Sequence, residues 1–271
     1  MLKHETVGLG LRREFLDEFK ETENSNVQYL EVAPENWMDM GGKRAKELHW
    51  FREKYPIVAH GLSLSLGGTD PLDIEFIKSI KNFITQYDIA LYTEHISFTG
   101  AKGILYDLLP LPFNQETINN LVDRIQKTQD ILGQKIAIEN ASYYAHSPLS
   151  EMTEYEFISQ ILKKADCNLQ LDINNVFVNS INFKFNAYEF LDNIPKDKVV
   201  YMHVAGHDEE NNELLIDTHG QDVRLEVWDL LKYSYNLFGI VPTTLERDLN
   251  VPSLAEVLQE VDKIKQYQTI S

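Results

Sequence analysis

The 271-residue sequence predicts an α/β fold, a single (β/α)₈ TIM barrel occupying residues 1–271. Three observations carry that expectation. Short apolar segments beginning near residues 6, 28, 56, 89, 135, 168, 199 and 241 alternate with amphipathic stretches. Such alternation implies parallel strands joined by crossover helices. The length is close to that of one barrel, about 250 residues. No Pro-, Gly- or Ser-rich linker, low-complexity run or composition break divides the chain. Eight repeats favour closure over an open doubly wound sheet, which more often carries a Gly-rich phosphate turn after its first strand. Here Gly8-Leu-Gly10-Leu-Arg-Arg lacks the third glycine.

Each strand candidate is a short apolar run, too short for a helix and bounded by turn or helix signals, as strands buried on both faces read. Helices are expected over residues 12–23, 43–55, 71–87, 114–132, 151–165, 222–238 and 253–268. In Asn114-Gln-Glu-Thr-Ile-Asn-Asn-Leu-Val-Asp-Arg-Ile, for example, apolar residues recur at helical spacing. Pro71 and Pro252 fall where a first helical turn tolerates proline. Gly67-Gly68-Thr69-Asp70-Pro71 could seat a phosphate at a helix N-terminus, but a tight turn with Asp70 as N-cap is the preferred reading. Residues 179–193 are weaker and are expected to hold only a short helix at 187–191.

With 43% hydrophobic residues the chain can build a full core. Its 42 acidic and 25 basic residues give a net charge of −17, which opposes a nucleic-acid partner and favours solubility. No apolar run approaches the roughly 18 residues of a membrane span, and Met1-Leu-Lys-His-Glu is no signal peptide, so a soluble cytoplasmic protein without a membrane partner is expected. Cys167 is the single cysteine, which rules out an internal disulfide and a thiolate-rich metal site. It precedes an apolar strand and reads as a buried structural thiol. Trp37, Trp50 and Trp228 read as packing, with Trp37 the one placed to touch a substrate.

Six strand candidates end, in order, on His60, Glu94-His95, Glu139, Asp172, His203 and Glu246. The carboxyl ends of barrel strands form the rim where such folds place their chemistry. One such ending is more often a helix cap or a satisfied histidine; six point to a polynuclear metal site. Imidazole and carboxylate donors without cysteine suit iron, manganese or zinc. Glu139, central in the order, is the candidate bridge. Asp217 and His219, one residue apart, would face the same way in an extended segment and suit a third ion. Glu35, Asn36, Asn140, Asn174 and His207 follow the same strands as candidates for substrate contact or hydrogen-bond support. Glu94 should point away from His95 and reads as structural. Arg247 could hold an anionic substrate group or tie carboxylates at the rim.

The set Glu35-Asn36-Trp, His60-Gly-Leu-Ser, Thr-Glu-His95, Glu139-Asn140, Asp172-Ile-Asn-Asn175, His203-Val-Ala-Gly-His207, Asp217-Thr-His219-Gly and Glu246-Arg-Asp resembles the DUF692 family, also called UPF0276 or multinuclear non-heme iron-dependent oxidative enzymes. The resemblance runs from about Gly8 to Val261 and implies a xylose-isomerase-like TIM barrel. It further implies two or three iron ions (Fe2+/Fe3+), O2 as co-substrate, and oxidation of cysteine in a ribosomally made precursor peptide, often with a small leader-binding partner protein. On this resemblance His60, His95, Glu139, Asp172, His203 and Glu246 match the dinuclear ligands, while Asn175, Asp217 and His219 match a third site. Catalytic weight falls on Glu139 and His203. The same barrel superfamily offers two rivals. An endonuclease-IV-like phosphodiesterase would want a histidine at Asn175 and a basic surface; a sugar isomerase or epimerase would want a lysine or second histidine beside the metal. A non-enzymatic metal carrier would not need so many ligands around one barrel mouth.

Overall fold

In the computed structural model, residues 2–22, 26–100, 108–211 and 214–270 are described. Eight parallel strands close a barrel: β1 (Val7–Gly10), β2 (Tyr29–Val32), β3 (Ile57–Gly61), β4 (Leu91–His95), β5 (Ala137–Glu139), β6 (Asn168–Asp172), β7 (Val199–Val204) and β10 (Thr243–Leu245), with β10 returning to β1. Their apolar residues are buried on both faces, which explains why they read as continuous runs rather than alternations. Between β7 and β10 the chain inserts an antiparallel hairpin, β8 (Asp208–Asn211) and β9 (Leu214–Ile216). Asp208-Glu-Glu carries no apolar alternation, so nothing in the sequence marks this strand pair.

The outer layer comprises α1 (Leu16–Glu21), α2 (Gly42–Lys54), α3 (Ile74–Tyr87), α4 (Gln115–Leu132), α5 (Glu154–Ala165), α6 (Ile173–Phe183), α7 (Ala187–Asp192), α8 (Leu225–Phe238) and α9 (Leu254–Ile270). Ile77, Ile80 and Phe83 of α3, Ile118, Leu121 and Ile125 of α4, and Phe157, Ile158 and Ile161 of α5 share one core with the strands. Trp228 is buried in that core, and the half-buried Trp50 packs against it. Cys167 is a buried free thiol, and burial pushes it up to about 12. Among the described residues no helix is long and apolar enough to cross a membrane.

Several helix starts differ from expectation. Asp73, not Asp70, caps α3, its carboxylate accepting from the Phe76 N–H at 2.9 Å, so Pro71 lies ahead of the helix. The Gly67-Gly68 turn is filled by the Arg124 guanidinium, which donates to the carbonyls of Ser65, Leu66 and Asp70. Ser253 and Glu256 cap α9 reciprocally, which leaves Pro252 one residue before the cap. The expected 12–23 helix shortens to α1, preceded by a 3-10 turn over Arg13–Phe15; Arg12 is extended, and Glu23 lies outside the described residues.

The largest departure is α6, an 11-residue helix over Ile173–Phe183: no helix is expected for 173–178, and the weak segment expected begins only at 179. Ile173-Asn-Asn-Val-Phe-Val-Asn is poor in helix formers. Asp172 overrides that preference by accepting from the Asn175 N–H at 2.7 Å. Burial of Val176 and Val178 adds to the bias. Because the cap is also the last residue of β6, helix and strand meet without a loop.

Candidate metal centre

Strand register brings the donors together. His95 pairs with Glu139 across β4 and β5, Asp172 with His203 across β6 and β7, and Thr244 with His203 across β10 and β7. His60, at the end of β3, is hydrogen-bonded through Nδ1 to the Thr93 hydroxyl at 2.7 Å. The Nδ1 of His95 lies 3.0 Å from the Gly61 carbonyl. A carbonyl only accepts, so this Nδ1 carries the proton and a neutral ring turns the Nε2 lone pair inward. That Nε2 is 2.9 Å from Glu139 Oε2, and His60 Nε2 is 3.1 Å from the same oxygen. A lone pair facing a carboxylate is repulsive unless positive charge lies between them, supplied by a proton or a metal ion.

His203 stands at the middle, its Nδ1 3.3 Å from Glu139 Oε1, 3.1 Å from Glu246 Oε2 and 3.9 Å from Asp172 Oδ2. Four triads of buried or half-buried donors have ligand atoms within 4.8 Å of one another: His60, His95 and Glu139; His60, His203 and Glu246; Glu139, Asp172 and His203; and Asp172, His219 and Glu246. They share members, so the donors form a chain of overlapping sites. The two oxygens of Glu139 face different neighbours along it. Glu139 Oε2, Asp172 Oδ2, Asn175 Oδ1 and His219 Nε2 are buried without a hydrogen-bond partner. Buried polar atoms are rarely left so, and all four are metal-donor atoms. The residues therefore fit a group of hard or borderline cations.

The electrostatics agree. Burial would raise the Glu139 carboxyl, but His60 and His95 hold it well below the usual range. Burial would lower His95, yet the Glu139 charge raises it to about 9. Asp172 goes the other way: burial and the neighbouring Glu139 charge push it up to about 8. The cluster thus draws positive charge to the histidines while leaving one carboxyl short of it.

A second corner comes from the segment after β9. His219 adopts a left-handed backbone, φ 50°, so the extended geometry expected for 217–219 is incorrect. The turn nevertheless brings His219 Nε2 to 2.7 Å from Asp217 Oδ1, and its Nδ1 to 2.9 Å from Asp248 and 3.3 Å from Glu246. Asp217 is held by the Ser142 hydroxyl at 2.8 Å and by Asn174 Nδ2 at 2.7 Å. Asn174 Oδ1 in turn accepts from His207 Nδ1, and burial keeps His207 neutral by lowering it to about 4. Asn175 donates to the Asn140 carbonyl at 3.0 Å, which leaves its own carbonyl oxygen aimed elsewhere.

The remaining candidates support the frame. Asn140 clips the end of β6, accepting from the Asp172 N–H and donating to the Asp172 carbonyl. Glu35 accepts from the N–H groups of Leu62 and Ser63, fixing the chain after β3. Glu94 is bonded to the Tyr92 hydroxyl and pushed by burial and Glu35 up to about 8, as a structural residue. Arg247 is bound to Asp222 and Glu260, on the outer side of the rim, and so ties carboxylates. Asn36 and Trp37 line a cavity of about 290 Å³ together with Arg12, Glu31, His60, Leu62 and Glu246.

Five residues of this region carry no site role in the sequence reading: Arg12, Glu31, Gln170, Tyr201 and Asp248. Arg12 ties Asp248 to Glu246 and donates to the Arg247 carbonyl. Gln170 lies 3.1 Å from His203 Nδ1. Glu31 offered one usable signal, a carboxylate inside an otherwise apolar strand.

A family model described as RiPP precursor modification enzyme MbnB/TglH/ChrH matches residues 6–269. A UPF0276 protein of Acinetobacter baylyi is 52% identical over 259 residues, covering 96% of this chain and 90% of its own. A UPF0276 protein of Neisseria gonorrhoeae is 48% identical over 272 residues, covering 99% and 96%. Among solved structures, a xylose isomerase domain protein from Planctomyces limnophilus has a TM-score of 0.62 at 14% identity, covering 99% of this chain and 100% of its own. A D-tagatose 3-epimerase-like protein has a TM-score of 0.60 at 13% identity, covering 98% and 97%. At these identities the likeness shows the xylose-isomerase-like TIM barrel alone.

Proposed function

Because the chain belongs to the MbnB/TglH/ChrH family of RiPP precursor modification enzymes, also called DUF692 or UPF0276, we propose that it is a multinuclear non-heme iron enzyme that uses O2 to oxidise a cysteine of a ribosomally made precursor peptide. The observation that carries this reading is the chain of overlapping triads. A single ion takes about four ligands, fewer than the donors gathered here. All donors are imidazole or carboxylate, which suits iron as well as manganese or zinc.

His60, His95 and Glu139 would hold one ion, and Asp172, His203 and Glu246 a second. Glu139 would bridge them, since its oxygens face both groups. Asp217, His219 and Asn175 would serve a third. Iron in this set would supply activation of dioxygen and a Lewis-acidic seat for the cysteine thiolate. The chain's own part is to position and to shield. The 290 Å³ cavity admits a side chain with its adjoining backbone. Trp37 and Leu62 give it apolar wall that displaces water, and the Asn36 amide can hydrogen-bond a peptide group. His207 and Asn174 orient Asp217 from behind. A small leader-binding protein as companion and a cytoplasmic setting complete the proposal.

Protein reconstituted anaerobically with Fe2+ should consume O2 when given a Cys-containing precursor peptide encoded near its gene. The Cys→Ser peptide should be inert, and zinc-loaded protein should do nothing to either. Cleavage of abasic DNA by the zinc form at ordinary salt would replace oxidation with phosphodiester hydrolysis.

A further inference from the structure

The three central histidines are not mounted alike. His60 and His95 are anchored through Nδ1 and turn Nε2 inward. His203 is reversed: its Nε2 lies 2.8 Å from Glu31 Oε2, and its Nδ1 faces Glu139, Asp172 and Glu246. Glu31 is 3% exposed and sits inside β2, where charge is costly unless partnered. The same Oε2 accepts from the Tyr201 hydroxyl at 2.6 Å. With its own proton committed to Glu31, Tyr201 accepts from the Thr244 hydroxyl, whose oxygen lies 2.9 Å from the Tyr29 hydroxyl. Gly8 makes room for this floor, because a Cβ there would overlap the Tyr29 ring. Tyr29, Val58 and Tyr201 form a small cluster of their own beneath the donors, separate from the main core.

Glu31 belongs to none of the donor triads. Its Oε2 is an acceptor serving two donors, so the His203 proton resides on Nε2 and the lone pair on Nδ1. We propose that Glu31, steadied by Tyr201, is a positioning residue that fixes the tautomer and ring orientation of His203 so that Nδ1 meets the metal. A carboxylate behind a ligand imidazole both orients it and raises its basicity. The proposal rests on His203 as a metal ligand and needs neither iron, O2 nor peptide.

The test uses the full-length protein, with zinc and Fe2+ as separate probes. Glu31→Gln should weaken zinc and iron binding about 10–100-fold, the usual cost of losing such a partner, measured by competition with a chelator. Tyr201→Phe, which leaves the His203–Glu31 bond in place, should weaken it by only a few-fold. Nitrogen NMR of the zinc-loaded wild type should show His203 protonated on Nε2 and metal-bound through Nδ1, and Glu31→Gln should lose that signature. A merely structural role would leave the tautomer signal unmoved. Glu31→Gln binding zinc within twofold of wild type, or His203 carrying its proton on Nδ1, overturns the proposal. Should Glu31→Gln fail to fold, the wild-type NMR signal and the Tyr201→Phe affinity decide alone. Failure of the peptide oxidation would leave each of these readouts intact, so the two readings fail separately. Wild-type protein that takes up neither metal overturns both.

Discussion

The two ends of the donor chain are built differently. At one end, His60, His95 and Glu139 close three consecutive strands. Register places His95 beside Glu139, and both rings are pinned by groups of neighbouring strands. At the other end, His219 sits in a left-handed turn and is held by Asp217, Glu246 and Asp248, while Asp217 depends on Ser142 and Asn174. Those members come from four stretches of chain: 142, 174, 217–219 and 246–248. The first corner is fixed by the barrel itself, before any ligand arrives. The second exists only as far as its side chains hold one another, and each loss loosens the rest. Strand-borne donors should therefore bind metal more tightly than turn-borne ones, consistent with the precision of sites mounted on rigid elements.

The comparison breaks most sharply at Glu139, a member of two of the four triads. Glu139→Gln keeps the shape and removes the charge. It should lower metal affinity by more than the ~100-fold upper cost of losing an outer support and strip metal from the strand corner during desalting. Elemental analysis of the desalted variant reads this directly. Full occupancy would show that Glu139 is no bridge.

A smaller and more selective loss is expected at His219, present in one triad. His219→Ala should cost about one ion per chain and leave the other ions in place, since the remaining three triads keep every member. Metal content falling as far as in Glu139→Gln would show that the two corners are one cooperative unit.

The same division explains what the sequence disclosed. Parallel strands buried on both faces read as apolar runs, and a polar residue at the end of such a run has nowhere to go but the rim. His60, His95, Glu139, Asp172, His203 and Glu246 were legible for that reason. Asp217 and His219 were paired on a mistaken premise, because an extended segment was assumed where the backbone turns at His219. Arg12 and Asp248 meet across 236 positions: Asp248 entered only as the last residue of the Glu246-Arg-Asp motif, without a role of its own, and nothing local marks Arg12. Helix α6 was missed because its residues favour strands, and the cap that commits it to a helix was already assigned to the metal site. A residue that both ends a strand and caps the next helix, as Asp172 does, is hard to read when only one duty is sought.

The smallest effect should arise one contact further out, at Ser142. Its hydroxyl donates to Asp217 Oδ2 at 2.8 Å, while Asn174 independently holds Oδ1. Ser142→Ala removes one of these two bonds and only one oxygen atom of bulk. A hydrogen bond to a charged acceptor contributes roughly 1.5–3 kcal/mol where it is fully buried, and an ordinary one about 1 kcal/mol. Ser142 and Asp217 are half-buried, so the lower figure applies. That converts to about fivefold weaker binding of the ion at the turn-borne corner, at 1.4 kcal/mol per factor of ten. The strand corner, which shares no contact with Ser142 in its triad, should be unchanged. Calorimetric titration with zinc, resolving tight from weak ions, checks both halves of the expectation. A fivefold loss confined to the weakest ion supports the division of the site; an equal loss at every ion would mean that Asp217 is coupled to the strand-borne donors and that the two corners are not independently built.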